Sequence, residues 1–220
     1  MINPYEKPDF YSKKAKEEGY AARSIYKLKE IQEKFNLIKK NHKILDLGCA
    51  PGSWSQYSSK LVGNEGLVVG IDYKEIKVNL PNAIFIQGSF LNEENKAKIK
   101  EYSPFDGVIS DMAPDTEGDR LTDCFNSSEL VKEAVNFSYD YLKKGGYFIA
   151  KIFQGGDEKT IFAELKEAFK EVKWFKPDST RKISFEIFII AYNFIKKPEL
   201  KSSSEFEAIN DPNYSGEMPW

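Results

Sequence analysis

Histidine and cysteine are nearly missing from this chain of 220 residues: His42 stands alone, and Cys49 and Cys124 are the only thiols. Two cysteines cannot build a disulfide framework, and with one histidine they are too few for a zinc site. A metal centre is not expected, and a reducing compartment is the simpler setting. His42 sits in a Lys-rich turn and reads as a solvated side chain. No apolar run approaches the ~20 residues of a membrane span. The segment Met1–Lys7 lacks the apolar stretch of a secretory signal. A cytoplasmic protein is expected, or a mitochondrial or otherwise organellar one if a transit peptide has been lost. Internal repeats are also lacking.

What remains is 41% hydrophobic and 30% charged, the balance of a soluble globular protein. The length suits one domain over 1–200, followed by a Ser-, Glu- and Asn-containing tail over 201–220 with little periodicity. That tail is expected to be flexible or packed late on the surface. The net charge of −2 hides an asymmetry. Residues 1–43 hold 11 Lys and Arg against 6 Asp and Glu, a surplus of +5, which leaves −7 on the remainder. A basic arm on an acidic body suits an anionic partner met from one side. The plain alternative is a solvated helix surface.

Strand-like runs recur at Ile44–Leu47, Leu67–Asp72, Ala83–Gln87, Gly107–Asp111, Tyr147–Phe153 and Phe185–Phe194, with a shorter candidate at Lys173–Phe175. Helix-compatible stretches lie between most of them, at Ser53–Leu61, Glu93–Tyr102, Ser127–Leu142 and Lys159–Phe169. This alternation predicts an α/β fold with a parallel sheet covered by helices on both faces. The turn Lys143-Lys-Gly-Gly146 is expected to stop one helix and enter the next strand. Residues 9–38 stand outside the alternation as an added helical layer, with Ile25, Leu28, Ile31 and Phe35 facing the core.

The first strand ends in Asp46-Leu-Gly-Cys-Ala-Pro-Gly-Ser-Trp54. A pyrophosphate-binding turn uses G-x-G-x-x-G, and here its second and third Gly positions hold Ala50 and Ser53. Asp46-x-Gly48-x-x-x-Gly52 instead suits a ligand without phosphate, such as S-adenosylmethionine. Asp72 ends the next strand, 24 residues after Gly48, where a carboxylate accepts hydrogen bonds from both ribose hydroxyls of an adenosine. Gln87-Gly-Ser-Phe90 follows the third strand, where an adenine edge would sit. Each loop alone is also explained as a tight turn; the three in order are not.

Three charges lie at later strand ends. Asp111 is held at the sheet rim by Pro114, Lys151 interrupts an apolar run, and Glu186 precedes Ile187-Phe-Ile-Ile190. A charge in such surroundings is costly unless paired. The alternatives are a core ion pair and a catalytic group.

In these motifs the sequence closely resembles the RrmJ/FtsJ-type ribose 2′-O-methyltransferases, from about Asp9 to Phe194. The resemblance is carried by Glu18-Gly-Tyr20, Arg23-Ser-Ile-Tyr-Lys-Leu28, Asp46 to Gln56, Ser110-Asp-Met-Ala-Pro114, Lys151-Ile-Phe-Gln-Gly155 and Lys176-Pro-Asp-Ser179. It implies a Rossmann-like S-adenosylmethionine-dependent methyltransferase fold, whose seven-stranded, mostly parallel sheet has an antiparallel last strand. It also implies a Lys-Asp-Lys-Glu tetrad at Lys27, Asp111, Lys151 and Glu186, with cofactor contacts from Gly48, Gly52, Trp54, Asp72, Ser89 and Asp111. Many relatives carry Asp where this chain has Ser89, and a basic residue where it has Phe185. Ser89 keeps an acceptor oxygen but no charge.

The implied reaction moves a methyl group in line from a sulfonium to a ribose 2′-hydroxyl. Lys151 is the candidate to take or polarise the hydroxyl proton, which as a base it does only when neutral. Its pKa is therefore expected to lie below the free lysine value of ~10.4. Lys27 is expected to help hold the hydroxyl, and Asp111 and Glu186 to orient the lysines. Lys13, Lys14, Lys16, Arg23, Lys27 and Lys29, with Lys173, Lys176, Arg181 and Lys182, are candidate RNA contacts. Tyr11, Tyr20 and Tyr26 are candidates for stacking on bases, with core packing expected of at least one. The resemblance implies a uridine of large-subunit ribosomal RNA as substrate and a monomeric enzyme. Transfer RNA anticodon-loop methylation is the alternative, and a catalytically inactive RNA-binding protein is the rival from another class.

Overall fold

The computed structural model describes residues 10–181 and 183–198. The 201–220 tail and Lys182 lie outside them. Seven strands form one sheet: Lys43–Leu47 (β1), Leu67–Asp72 (β2), Ala83–Gln87 (β3), Phe105–Ser110 (β4), Leu142–Phe153 (β5), Phe169–Phe175 (β6) and Glu186–Phe194 (β7). Their order is β3-β2-β1-β4-β5-β7-β6. Strands β1 to β5 pair in parallel, and β7 runs antiparallel to both of its neighbours. The chain winds outward from β1 to β3 and then returns to place β4 on the other side of β1. The strand order reverses there, and in open α/β sheets ligands bind at the carboxyl ends beside such a point.

Side-chain alternation sorts the strands onto two cores. Ile44, Ile109, Ile149 and Ile190 pack against Leu28 and Ile31 of α2 (Ile25–Phe35) and Trp54 of α3 (Ser53–Val62). Leu45, Val108, Phe148 and Ile189 face the opposite way, onto Val131 and Val135 of α5 (Arg120–Tyr139) and Ile161 of α6 (Glu158–Ala168). Strands buried on both faces read as continuous apolar runs, as these do. The added N-terminal layer is α1 (Phe10–Glu17) followed by α2. Ile25, Leu28 and Ile31 are buried, while Phe35 is half-buried with its ring edge-on to Phe175. Helix α4 (Glu93–Lys100) is capped by Asn92, whose side chain accepts from the backbone N–H groups of Glu94 and Asn95.

Several boundaries differ from the sequence expectation. Helix α5 starts at Arg120 rather than Ser127, because Asp119 caps it by accepting from the Thr122 N–H. Its first turns leave Leu121 and Phe125 exposed, so no apolar stripe marked them. The segment Lys143–Gly146 is not a free turn. It belongs to the start of β5, where the register with β4 shifts between Phe105 and Gly107. Strand β6 begins directly after α6, at Phe169, and is longer than Lys173–Phe175. His42 is half-buried rather than freely solvated. Its Nδ1 accepts from the Lys39 N–H at 3.3 Å and its Nε2 lies 3.6 Å from Asp106.

Candidate active site

Register alone assembles the charged centre. Ser110 of β4 is paired with Ala150 of β5, so Asp111, one residue past the strand end, is level with Lys151. Lys151 has the parity of Ile149, which places its side chain on the α2 face of the sheet. Strand β7 runs backwards, so its first residue, Glu186, opposite Phe153, reaches the same edge. Helix α2 then lays Lys27 over that edge. Lys27 Nζ is 2.7 Å from Glu186 Oε1 and 3.6 Å from Asp111 Oδ1. Lys151 Nζ is 3.1 Å from Asp111 Oδ1 and donates to the Asp111 backbone oxygen at 2.8 Å. The four groups expected from sequence are thus one contiguous cluster of two cations and two anions.

Burial works against a charge on Lys27, but Asp111 and Glu186 outweigh it, and its pKa ends above the ordinary lysine value. For Asp111, burial pushes upward and Lys151 and Lys27 pull downward, and the result lies below the ordinary carboxylate value. Lys27 is therefore an ammonium and Asp111 a carboxylate across the neutral range.

A cavity of about 740 Å³ opens beside this cluster at the carboxyl ends of β1, β2 and β4. Gly48, Asp72, Ser89 and Asp111 line it. Gly48 has φ +70°, and a Cβ there would lie 2.1 Å from Met112 Cγ, so any other residue would be strained and would displace Met112. Asp72 accepts from the Ala50 N–H at 2.9 Å through Oδ2 and from the Lys74 N–H at 2.8 Å through Oδ1. Each oxygen keeps a second acceptor site for a ribose hydroxyl. Ser89 Oγ accepts from the Leu91 N–H at 3.1 Å. The walls also carry Asp115, Glu129 and Glu133. This negative lining suits S-adenosylmethionine, which carries a sulfonium and an ammonium, and opposes a pyrophosphate.

Gly52 and Trp54 do not line this cavity. Gly52 lies beneath Val78 of the β2–β3 connection, where a Cβ would meet Val78 Cγ2 at 2.5 Å. The Trp54 indole is buried, stacks on Phe188 at 5.8 Å and donates its ring N–H to the Ser24 oxygen at 2.9 Å. Trp54 therefore ties the start of α3 to the start of α2 and to β7.

A second cavity, about 300 Å³, reaches Lys27 and Glu186 between the residues just ahead of α2 and the β6–β7 connection. Arg23 and Arg181 line it. Burial, and after it the Arg181 charge, lower the Arg23 pKa. Of the remaining candidate RNA contacts, Lys29 is committed to Glu18 at 2.7 Å and to the rings of Tyr20 and Tyr26. Lys173 pairs with Glu171, and Lys176 donates to the Ser184 oxygen. Lys13 and Lys16 are exposed on α1. Tyr26 is buried, with Tyr11 and Tyr20 packed against it, so core packing is its role.

Sequence reasoning missed Glu30. Its carboxylate accepts the backbone N–H groups of Asp178 at 2.5 Å and Ser179 at 3.0 Å, while Arg23 donates to the Ser179 oxygen. One helix thus supplies Lys27 and also pins the loop that carries Arg181. A Glu among lysines on an exposed-looking helix gives no sign of this in the sequence. Asp46 was quoted only as part of the loop. It is buried, accepts from Ser55 Oγ at 2.6 Å, and burial pushes its pKa up to about 7.

Comparison with known proteins agrees with this geometry. The FtsJ-like methyltransferase profile matches residues 20–194. A ribosomal RNA large subunit methyltransferase E of Bdellovibrio bacteriovorus is 46% identical over 189 residues, covering 84% of this chain and 96% of that protein. The enzyme of the same name from Borrelia garinii is 43% identical over 193 residues, covering 87% and 100%. Among solved structures, a Plasmodium falciparum protein described as a ribosomal RNA methyltransferase superposes with a TM-score of 0.71 at 32% identity, covering 81% of this chain and all of that one. Sheet order, profile and relatives point the same way: the chain belongs to the FtsJ-like methyltransferase family.

Proposed function

We propose that this protein is an S-adenosylmethionine-dependent ribose 2′-O-methyltransferase acting on a uridine of large-subunit ribosomal RNA. The observation that carries the reading is the Lys27–Glu186–Asp111–Lys151 cluster at the meeting point of two cavities. Bound in the larger cavity, S-adenosylmethionine supplies an activated methyl group. Asp72 would hold its ribose, Ser89 its adenine edge, and Gly48 the close approach of backbone to its amino acid end.

The chain's own residues then do two things. They align the hydroxyl oxygen, a proximity effect that accounts for much of such a rate. They also manage its proton. Lys27, held charged by two carboxylates, cannot serve as a base, so it donates a hydrogen bond to the hydroxyl oxygen. Lys151, which meets one carboxylate where Lys27 meets two, receives the proton, and Asp111 orients it through two contacts. Glu186 fixes Lys27. Lys151→Ala is expected to abolish methyl transfer while cofactor binding by calorimetry persists. Retained turnover would overturn the assignment.

The large ribosomal subunit as partner and a monomeric enzyme belong to the same reading. So does a cytoplasmic location, or an organellar one, where the buried thiols of Cys49 and Cys124 stay reduced. Mapping 2′-O-methylation in ribosomal and transfer RNA after loss of the protein tests the substrate. Loss confined to the anticodon loop of a transfer RNA would replace the first choice.

A further inference from the structure

The smaller cavity holds more than the tetrad needs. Beyond Lys27 and Glu186, an otherwise polar wall has an apolar part: Phe153, Ile183 and Phe185. The Phe185 ring meets Phe153 edge to face at 4.8 Å, and the guanidinium of Arg120, the first residue of α5, lies 5.3 Å over the Phe185 ring. Ile183 is 65% exposed at the rim. Proton transfer and methyl transfer make no use of an aromatic wall or of a cation stacked on it.

Aromatic rings and guanidinium planes are the surfaces on which unpaired RNA bases stack. The volume, about 300 Å³, stands at the lower end of small-molecule sites, so it admits one nucleotide and no duplex. Ribose-handling groups and the apolar wall share this one space, so a ribose and a base entering it come from the same nucleotide. Relatives with a basic residue in place of Phe185 would offer a phosphate contact there. This chain offers a π-face and brings its cation from a different element, Arg120. Arg23 and Arg181 add positive charge to the same wall.

We propose that Phe185, backed by Phe153 and Arg120, receives the unpaired base of the nucleotide whose ribose is methylated. This rests on the ribose methyltransferase reading above. The base is recognised by stacking and size, with Ser24, Thr116 and Ser184 as the neutral polar residues of the wall.

The test uses the full chain and large ribosomal subunits from cells lacking the enzyme. Phe185→Ala is expected to lower kcat/KM about tenfold or more, with S-adenosylmethionine affinity unchanged. Phe185→Trp should restore most of the loss. Phe185→Lys should not, because a point charge cannot stack. Rescue by Lys and not by Trp would make the position a phosphate contact and overturn the proposal, as would full activity of Phe185→Ala. With 4-thiouridine in the subunit RNA, irradiation should cross-link this wall to the methylated nucleotide. Cross-linking to a neighbouring nucleotide alone would overturn the assignment to the target base. A wild-type protein that methylates no RNA would defeat the underlying function instead, so the two failures are distinguishable.

Discussion

Single residues set the pH behaviour, and their signs differ. Asp111 has a lowered pKa, so its contribution to stability is present above the free carboxylate value of ~3.9 and is lost as pH falls through the folded value. Lys27 has a raised pKa, so its contribution is present below ~10.4 and is lost as pH rises through the folded value. Neither titrates between about pH 5 and 9. Asp46 does, because burial holds its pKa at about 7. A carboxyl with a raised pKa binds its proton more tightly folded than unfolded. Its presence therefore costs stability progressively as pH rises from ~3.9 to about 7, after which the cost is constant. Asp46→Asn keeps an acceptor for Ser55 Oγ and removes that cost. Melting temperatures taken from pH 4 to 8 should show the variant gaining on the wild type as pH rises; parallel curves would show that Asp46 does not titrate there. Ser89 gives a second residue-scale prediction. Its hydroxyl offers the cofactor cavity a neutral acceptor, and hydrogen bonds to charged groups are worth roughly twice as much. Ser89→Asp should tighten S-adenosylmethionine binding several-fold by calorimetry, and unchanged affinity would mark the position as neutral.

At the scale of one element, helix α2 joins the charged cluster to the wall of the smaller cavity. Lys27 enters the tetrad from it, and Glu30, one turn on, holds the N–H groups of Asp178 and Ser179 in the β6–β7 connection. That connection carries Arg181, Ile183 and Phe185 to the smaller cavity. Glu30→Gln loses the charge and one acceptor oxygen, so one of the two N–H groups is left poorly paired. The expected result is a KM for ribosomal subunits raised about tenfold, since a hydrogen bond to a charged group is worth ~1.5–3 kcal/mol. Cofactor affinity should stay constant; a parallel loss of both would point to general unfolding of α2. This coupling explains what the sequence could not reveal. Ile44–Leu47 and Leu67–Asp72 were legible as strands because both faces are buried, which leaves continuous apolar runs, and Ala83–Gln87, half-buried at the sheet edge, was legible from its short apolar run alone. Asp111, Lys151 and Glu186 were legible as charges out of place. Glu30 was not, because its partners are backbone groups nearly 150 residues away. The first turns of α5 were not either, since Leu121 and Phe125 face outward where a core helix would bury them.

At the scale of the whole chain, residues 1–43 carry a surplus of +5 against −7 on the remainder. A polyanion is drawn to the surface where exposed cations of that basic segment gather. Helix α1 belongs to the attractive side, since Tyr11 lies under the Arg23 guanidinium at 5.4 Å and Arg23 lines the smaller cavity. Lys13 and Lys16 project from that helix into solvent, whereas Lys14 and Lys29 are held by Glu18. Only cations that replace counterions around phosphate register in the salt dependence of binding, at about 0.7 to 0.9 per phosphate in a plot of log K against log salt. Reversing Lys13 and Lys16 together to Glu should weaken RNA binding and flatten that slope by about 1 to 2. Reversing Lys98, which is paired with Glu94 on α4, should leave the slope unchanged even though it adds the same charge per residue. Slopes that fall equally for both variants would mean that net charge, rather than this face, governs the encounter. A slope that responds to α1 alone would locate the phosphate path beside the tetrad, on the side from which the smaller cavity is entered.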